Sequence, residues 1–261
     1  MDPAKVLRAI GVNLRWPIAI AATLGAGIAA AAALPGASPP SPPARFAFAD
    51  DFEASLCTDS CPGAHWAIRQ EERGSVAVVP APGRKGQALR ASASAKSGGV
   101  SKADLVARTA AMGEGTLVTV AFDLYAPRET PLNSIQLVDI ECASCGEGGN
   151  PGVRLYLRRG RLRIDRSKIG IKNAWVRDDA PMLASEHWHR VVLTVLIGAG
   201  ENGKARVTLD GTEVLNARGA TILPLHKRFA DRVQIGVTAN SNPVPVTLYF
   251  DNISVSAKPA G

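Results

Sequence analysis

The amino-acid sequence predicts an all-β chain, two antiparallel sheets packed as a sandwich, behind an N-terminal export or anchor segment. Three observations carry this. Short runs that alternate apolar and polar residues recur from about residue 74 to residue 256. Clusters of Gly, Pro, Asn and Asp separate them, as turns between strands require. No stretch of a dozen residues beyond the N-terminal segment repeats its apolar residues at helical spacing. The 261 residues suit one sizeable β domain or two small ones, and the 46% apolar content is that of a globular chain. With no internal repeat and no second boundary, one domain over 46–256 is the economical reading, leaving 257–261 as a tail.

The chain opens with Lys5, Arg8 and Arg15 against a single acid, Asp2. An uncharged run of 18 residues, Pro17 to Leu34, follows, rich in Ala and Gly and containing Ala31, Ala32 and Ala33. A positive flank, an apolar centre and small residues at its end read as an export signal over 1–34. The alternative is an uncleaved anchor, short for a spanning helix and weakly apolar because alanine is nearly neutral for insertion. Residues 35–45, rich in Pro and Ser, form a tether that reaches roughly 3 Å per residue. Either reading places the domain outside the cytoplasm, in the periplasm, on the cell surface or secreted, and touches a membrane only through the N-terminal segment. The net charge of +7 favours an acidic partner, and export removes nucleic acid from the choice. Removing residues 1–44 still leaves +5.

Four cysteines lie in two local pairs, Cys57 with Cys61 and Cys142 with Cys145. In an exported chain an even count reads as disulfides, with three pairings open. A four-cysteine zinc site is the alternative, since C-x-x-C is a common ligand spacing.

The strand runs are GSVAVV, GTLVTVAFDLY, SIQLVDIE, VRLYLRRGRLRID, HRVVLTVLIG, ARVTLDGTEVL, RVQIGVT and PVTLYFDNISVS. Two of them fold back as hairpins. With Arg159-Gly160 as a two-residue turn, Arg158 faces Arg161, Tyr156 faces Arg163 and Arg154 faces Asp165, all on one face. Val153, Leu155 and Leu157 then share the other face with Leu162 and Ile164. Asp210-Gly211 is the second turn, with Val207 and Leu209 alternating with Arg206 and Thr208. ASASAKSGG reads as a flexible small-residue stretch, because no helix follows it to make a phosphate cradle.

FADDFE at the start, LYFDNISVS at the end, and WHRVVLTV followed by ARVTLDGTEV between them resemble the concanavalin A-like lectin/glucanase jelly roll. The resemblance covers roughly 46–256. It implies two curved antiparallel sheets whose concave face often binds glycans, in a superfamily of lectins, laminin G-like modules, glucanases and several polysaccharide lyases. Fold alone does not choose among them.

The enzymatic patterns of that superfamily match in part. Its E-x-D-x-E glucanase strand finds Asp139 and Glu141 here, but Leu137 stands at the nucleophile position and cannot form a glycosyl-enzyme. Alginate lyase-like jelly rolls abstract a proton beside a uronate carboxylate and need Arg, Gln or Asn to neutralise it and a Tyr or His as base. Their arginine-bearing strand corresponds to SKADLVAR, with Lys102 and Asp104 in place of Arg and Glu. Their Gln-x-His strand corresponds to SIQLVDIE, with Gln136 present and no His where one is required. Their Tyr-bearing strand corresponds to RVQIGVTAN, with Thr238 at the tyrosine position. A lyase would need another base. Tyr156 among its arginines is one candidate. The pair His187 and His189, flanking Trp188 on a strand, is another, unless both are surface residues with Trp188 in the core.

The strongest functional feature is the hairpin face Arg154, Tyr156, Arg158, Arg161 and Arg163, extended along the chain by Arg166, Lys168 and Lys172. Arg158 opposite Arg161 is a repulsive pair that persists if solvated or bridged by an anion. Arginine forks bind carboxylate and sulfate bidentately, and tyrosine offers a flat face to a sugar ring. Gln136, Asp139 and Glu141 join this face as candidate ligand-binding groups. If the first and last strands pair, Asp50, Asp51, Asp251 and Asn252 meet as oxygen donors suited to a structural Ca²⁺, or else cap strand ends; no other cofactor is required. The sequence therefore reads as an exported carbohydrate-binding jelly roll for an acidic polysaccharide, without catalysis. A polysaccharide lyase or glycosidase of divergent site, and an envelope structural or adhesion module, are its alternatives.

Overall fold

A computed structural model describes residues 45–59, 61–146, 148–223 and 228–261. The export segment, all but the last residue of the tether, and His226 lie outside the described residues. Fifteen strands follow in chain order: β1 Phe46–Asp50, β2 Ile68–Gln70, β3 Gly74–Pro80, β4 Gln87–Ala93, β5 Ser101–Gly113, β6 Thr116–Tyr125, β7 Ile135–Glu141, β8 Gly152–Arg158, β9 Arg161–Arg166, β10 Ile171–Trp175, β11 Trp188–Leu196, β12 Lys204–Leu209, β13 Thr212–Arg218, β14 Phe229–Asn240 and β15 Val246–Pro259.

They build two antiparallel sheets. One runs β10-β9-β8-β7-β14-β5-β2 and the other β13-β12-β11-β6-β15-β4-β3, with β1 added along the second half of β15. The period-2 pattern decides what lies between them. Leu105, Ile140, Leu155 and Val237 from the seven-stranded sheet meet Leu89, Phe122, Val191 and Phe250 from the eight-stranded one, all essentially inaccessible to solvent. Each such side chain contributes roughly 1.5–3 kcal/mol of burial.

The two hairpins form in the expected register. Arg158 pairs with Arg161, Tyr156 with Arg163 and Arg154 with Asp165. Arg159 (φ 53°) and Gly160 (φ 73°), like Asp210 (φ 50°) and Gly211 (φ 79°), have both turn residues left-handed, the geometry that matches strand twist. Both cysteine pairs close locally, Cys57–Cys61 and Cys142–Cys145, which is the chemistry of an oxidising compartment. Among the described residues no helix is long and apolar enough to cross a membrane.

Four expectations change. Ala91, Ser92 and Ala93, the start of the small-residue stretch, are the end of β4. The last strand runs to Pro259, into the expected tail. Arg166 turns to the opposite face from the other hairpin arginines, where its guanidinium stacks 3.8 Å from the centre of the Trp175 ring. On β11 it is His189 that is buried, while Trp188 faces outward.

Candidate active site

The three stretches matched above to lyase strands become three adjacent strands of one sheet, in the order β7-β14-β5. Their outward residues, with β8 and β2 on the flanks, line a polar groove of about 260 Å³ on the side facing away from the core. Lys102, Gln136, Asp139, Glu141, Arg154, Lys168, Arg232, Gln234 and Thr238 all open onto it.

Strict alternation along SIQLVDIE would put Gln136 on the opposite face from Asp139 and Glu141. A β-bulge prevents this. Gln136 pairs with Tyr156, yet Val138 already pairs with Leu155, so one extra residue is taken up between them. Leu137 and Val138 both go into the core, and Gln136, Asp139 and Glu141 share the groove. The pairing of β14 with β7 slips likewise, between Ile235 and Ala239, beside Thr238. A bulge re-aims side chains in this way next to functional sites, and it was invisible to a period-2 reading.

The groove carries more cation than its pairings consume. Lys168 pairs with Glu141, which is nearly inaccessible, and Arg154 pairs with Asp165. Arg154 Nη2 also donates to Ser167 Oγ (2.7 Å), and its Nη1 to Gln136 Oε1 (3.4 Å). Thr238 Oγ1 donates to Asp139 Oδ1 at 3.1 Å. The Gln234 amide, oriented to satisfy both neighbours, accepts from Arg232 and donates to Asp139 Oδ2 at 3.2 Å.

Two acids here hold their protons to well above the usual carboxylate range. Burial first, and then the nearby Glu141, push Asp139 up to about 7. Asp104 lies below the floor on β5, 0% exposed, and both its carboxyl oxygens lack a hydrogen-bond partner among the described residues. Burial and the charge of Asp139 push it up to about 8. Its side chain packs on Gly236, the residue opposite it on β14. A Cβ at Gly236 would sit 2.9 Å from the Asp104 Cβ and 2.6 Å from the Ala103 carbonyl oxygen, so only glycine fits.

The other candidates fall as follows. Tyr156 lies on the same face but outside the groove lining, directly opposite Gln136 on one side and Arg163 on the other. Arg158 is exposed, Arg161 Nε donates to the Ala180 carbonyl (3.2 Å), and burial with the neighbouring Arg158 depresses Arg163. Lys172 is exposed and outside the groove lining. His187 and His189 meet edge to face at 4.9 Å, but at the start of β11 on the eight-stranded sheet, where His189 Nδ1 bonds the Asp210 carboxylate at 2.6 Å. They are thus a structural pair at a turn, not groove residues. The first and last strands do pair, with Asp50 opposite Ile253. The Asp50 carboxylate accepts from Trp66 Nε1 (2.7 Å) and the Phe52 amide (2.9 Å), and Asp51 from the Glu53 amide (3.2 Å). Asp251 pairs with Arg84, and Asn252 Nδ2 donates to Asp123 (2.8 Å). Among the described residues no three of His, Cys, Asp or Glu gather as metal ligands. The sequence reading missed Lys168 as the partner of Glu141, and it missed Arg232, Gln234, Gln70 and Asn150 as lining residues. The alternation of RVQIGVT placed Arg232 and Gln234 on the face of Thr238, so those two were within its reach.

The family description that matches the chain is polysaccharide lyase, over residues 63–254. No curated protein matches it. Among solved structures, an endo-β-1,4-glucuronan lyase from the fungus Trichoderma reesei superposes with a TM-score of 0.59 at 18% identity, covering 73% of this chain and 90% of that one. The cellulose induced protein Cip1 superposes with a TM-score of 0.53 at 14% identity, covering 80% and 96%. At these identities the likeness is one of fold.

Proposed function

This chain belongs to the polysaccharide lyase family, and from that premise we propose that it cleaves a uronic-acid polysaccharide by β-elimination in the groove of the seven-stranded sheet. The observation that carries the reading is the juxtaposition, on one face, of Gln136, Asp139 with its raised pKa, and Arg154, with Tyr156 opposite Gln136 on the neighbouring strand. A uronate carboxylate needs its charge neutralised before the carbon beside it releases a proton. Gln136, Arg154 and an un-ionised Asp139 can each donate to that carboxylate. Tyr156 is the base on this reading, since both described histidines of the WHR turn lie on the other sheet and Thr238 cannot take a proton. The C–H electrons form the new double bond as the adjacent glycosidic C–O bond breaks. The departing oxygen takes up a proton, and the products are an unsaturated end and a new reducing end.

The likeness in fold to a glucuronan lyase makes a polyglucuronate the first substrate to try. Thr238 at the usual phenol position is the one observation that favours the same groove binding polysaccharide without turnover. The test is ultraviolet absorbance of the new double bond while the protein is incubated with polyglucuronate, alginate and other polyuronates. Absorbance should rise, and Tyr156→Phe should lower the rate at least about 100-fold with KM little changed. Flat absorbance with salt-sensitive binding would replace the lyase by a binding protein. Full activity in Tyr156→Phe would move the base elsewhere, with Lys102 next to be tested. The two disulfides fit a protein acting after export.

A further inference from the structure

The outer face of the eight-stranded sheet carries a row that the groove does not use. Trp188 on β11 lies opposite Tyr125 on β6, Tyr125 opposite Tyr249 on β15, and Tyr249 opposite Arg90 on β4. Four adjacent strands thus present three aromatic rings and a guanidinium in one line roughly 14 Å long. All four are half-buried and face away from the core. The rings hold one another: Tyr125 and Trp188 lie 5.4 Å apart, and Tyr125 and Tyr249 6.0 Å apart at 80°. Arg84 caps the far end, 3.6 Å over the Trp188 ring, and is tied by the Asp123 and Asp251 carboxylates. Arg90 is different. Among the described residues it has no ion pair, and its buried Nε has no hydrogen-bond partner. Two residues along the same strands, the hydroxyls of Ser92 and Thr247 meet at 3.0 Å in an open cleft of about 450 Å³.

Aromatic rings flush with a surface offer flat apolar area to the C–H faces of pyranose rings while their polar tips stay wet. An unpaired arginine beside them suits a carboxylate. We infer that this face is a second binding surface for an acidic polysaccharide, with a sugar ring over Tyr249, held edge to face by Tyr125, and a uronate carboxylate on Arg90. The choice of a uronate polymer rests on the function proposed above; the aromatic row does not. A chain held on both sheets would stay bound between cleavage events, because the second contact is intramolecular once the first is made.

The experiment uses the full chain in affinity electrophoresis through gels containing polyglucuronate, alginate or a neutral cellulose derivative, alongside turnover of short uronate oligosaccharides. Arg90→Glu and Tyr249→Ala should each weaken polyuronate retardation by about tenfold and leave oligosaccharide turnover unchanged. Arg90→Gln, a milder change on an outward side chain, guards against misfolding and should weaken it in the same direction. A native chain that shows no turnover but loses retardation on Arg90→Glu would sink the lyase reading and keep the second surface. Unchanged retardation in the Arg90 variants, retardation only by the neutral polymer, or none by any polymer would overturn the second surface.

Discussion

The two sheets differ in the donors they offer Asp123, Asp104 and Asp139, although burial also raises Asp251 beside Asp123 on the eight-stranded sheet. On the eight-stranded sheet, burial raises Asp123, but hydrogen bonds from Asn252, Arg84 and Arg190 outweigh it and hold the group below the usual carboxylate range. On the seven-stranded sheet, Asp104 has no such donor and Asp139 has two neutral ones, and both are pushed well above that range. Asp123 is thus an anion fixed in a network, while Asp104 and Asp139 hold their protons to higher pH. Burial is common to all three. The donors supplied decide which form persists.

The largest expected effect tests that contrast by pH. Asp104 has its folded pKa raised from 3.8 to about 8, so the folded chain keeps a proton that the unfolded chain loses. Its contribution to stability is complete below about pH 4 and declines as pH rises toward 8. Asp104→Asn should remove much of that decline, several kcal/mol at about 1.4 kcal/mol per unit, so that it unfolds later than the parent at pH 9 and close to it at pH 5. Asp123, with a lowered folded pKa, has the opposite sign: its contribution is present above the ordinary carboxylate value and is lost as pH falls through the folded one. Urea unfolding from pH 2 to 9 should therefore displace the two variants in opposite directions at high pH, Asp104→Asn above the parent and Asp123→Asn below it, with Asp123→Asn rejoining the parent only as pH falls below the ordinary carboxylate value. Parallel curves would mean that the two faces do not differ as described.

Next in size is Lys168→Met. It strips the cation from Glu141, a carboxylate that is almost wholly buried, and should cost about 3 kcal/mol, the low end for breaking a buried pair because Lys168 is a quarter exposed. Thermal unfolding reads it directly. Gly236→Ala follows, at about 1–3 kcal/mol for the overpacking of Cβ against Asp104 and the β5 backbone. A smaller cost would show that β5 can move away, and the enclosure that keeps Asp104 neutral would be looser than it looks.

How far the sequence foretold these faces depends on the residue. The hairpin register from Val153 to Asp165 was readable, because an Arg-Gly turn fixes the pairing once both strands alternate. The sandwich was readable for the same reason. The groove was half readable. Thr238 and Gln136 could be placed on neighbouring strands by resemblance, and Asp139 and Glu141 on one face by period. Their union with Gln136 needed a bulge, and a bulge is a tertiary compromise with no letter of its own. Arg166 failed for a related reason: it follows the run of outward arginines in the text, but parity turns it inward onto Trp175. Trp188 failed because size argued for the core while parity put His189 there, with Asp210 to satisfy it.

The smallest effect sharpens the comparison most. Arg190→Met removes one of the donors to Asp123, and Arg190 is itself two-fifths exposed. Asp123 keeps Arg84 at 2.9 Å and the Asn252 amide at 2.8 Å, so the carboxylate stays an anion with partners. The cost should be below about 1 kcal/mol, that of a surface pair, and the acid limb of the stability curve should keep its slope. Lys168→Met on the other sheet removes a single cation as well, yet leaves Glu141 with no replacement among the described ion pairs. If the two substitutions cost the same, redundancy of donors is not what separates the faces, and the raised acids of the groove would need another cause. If Lys168→Met costs several times more, the buried carboxylate of the groove depends on one cation where Asp123 has three donors.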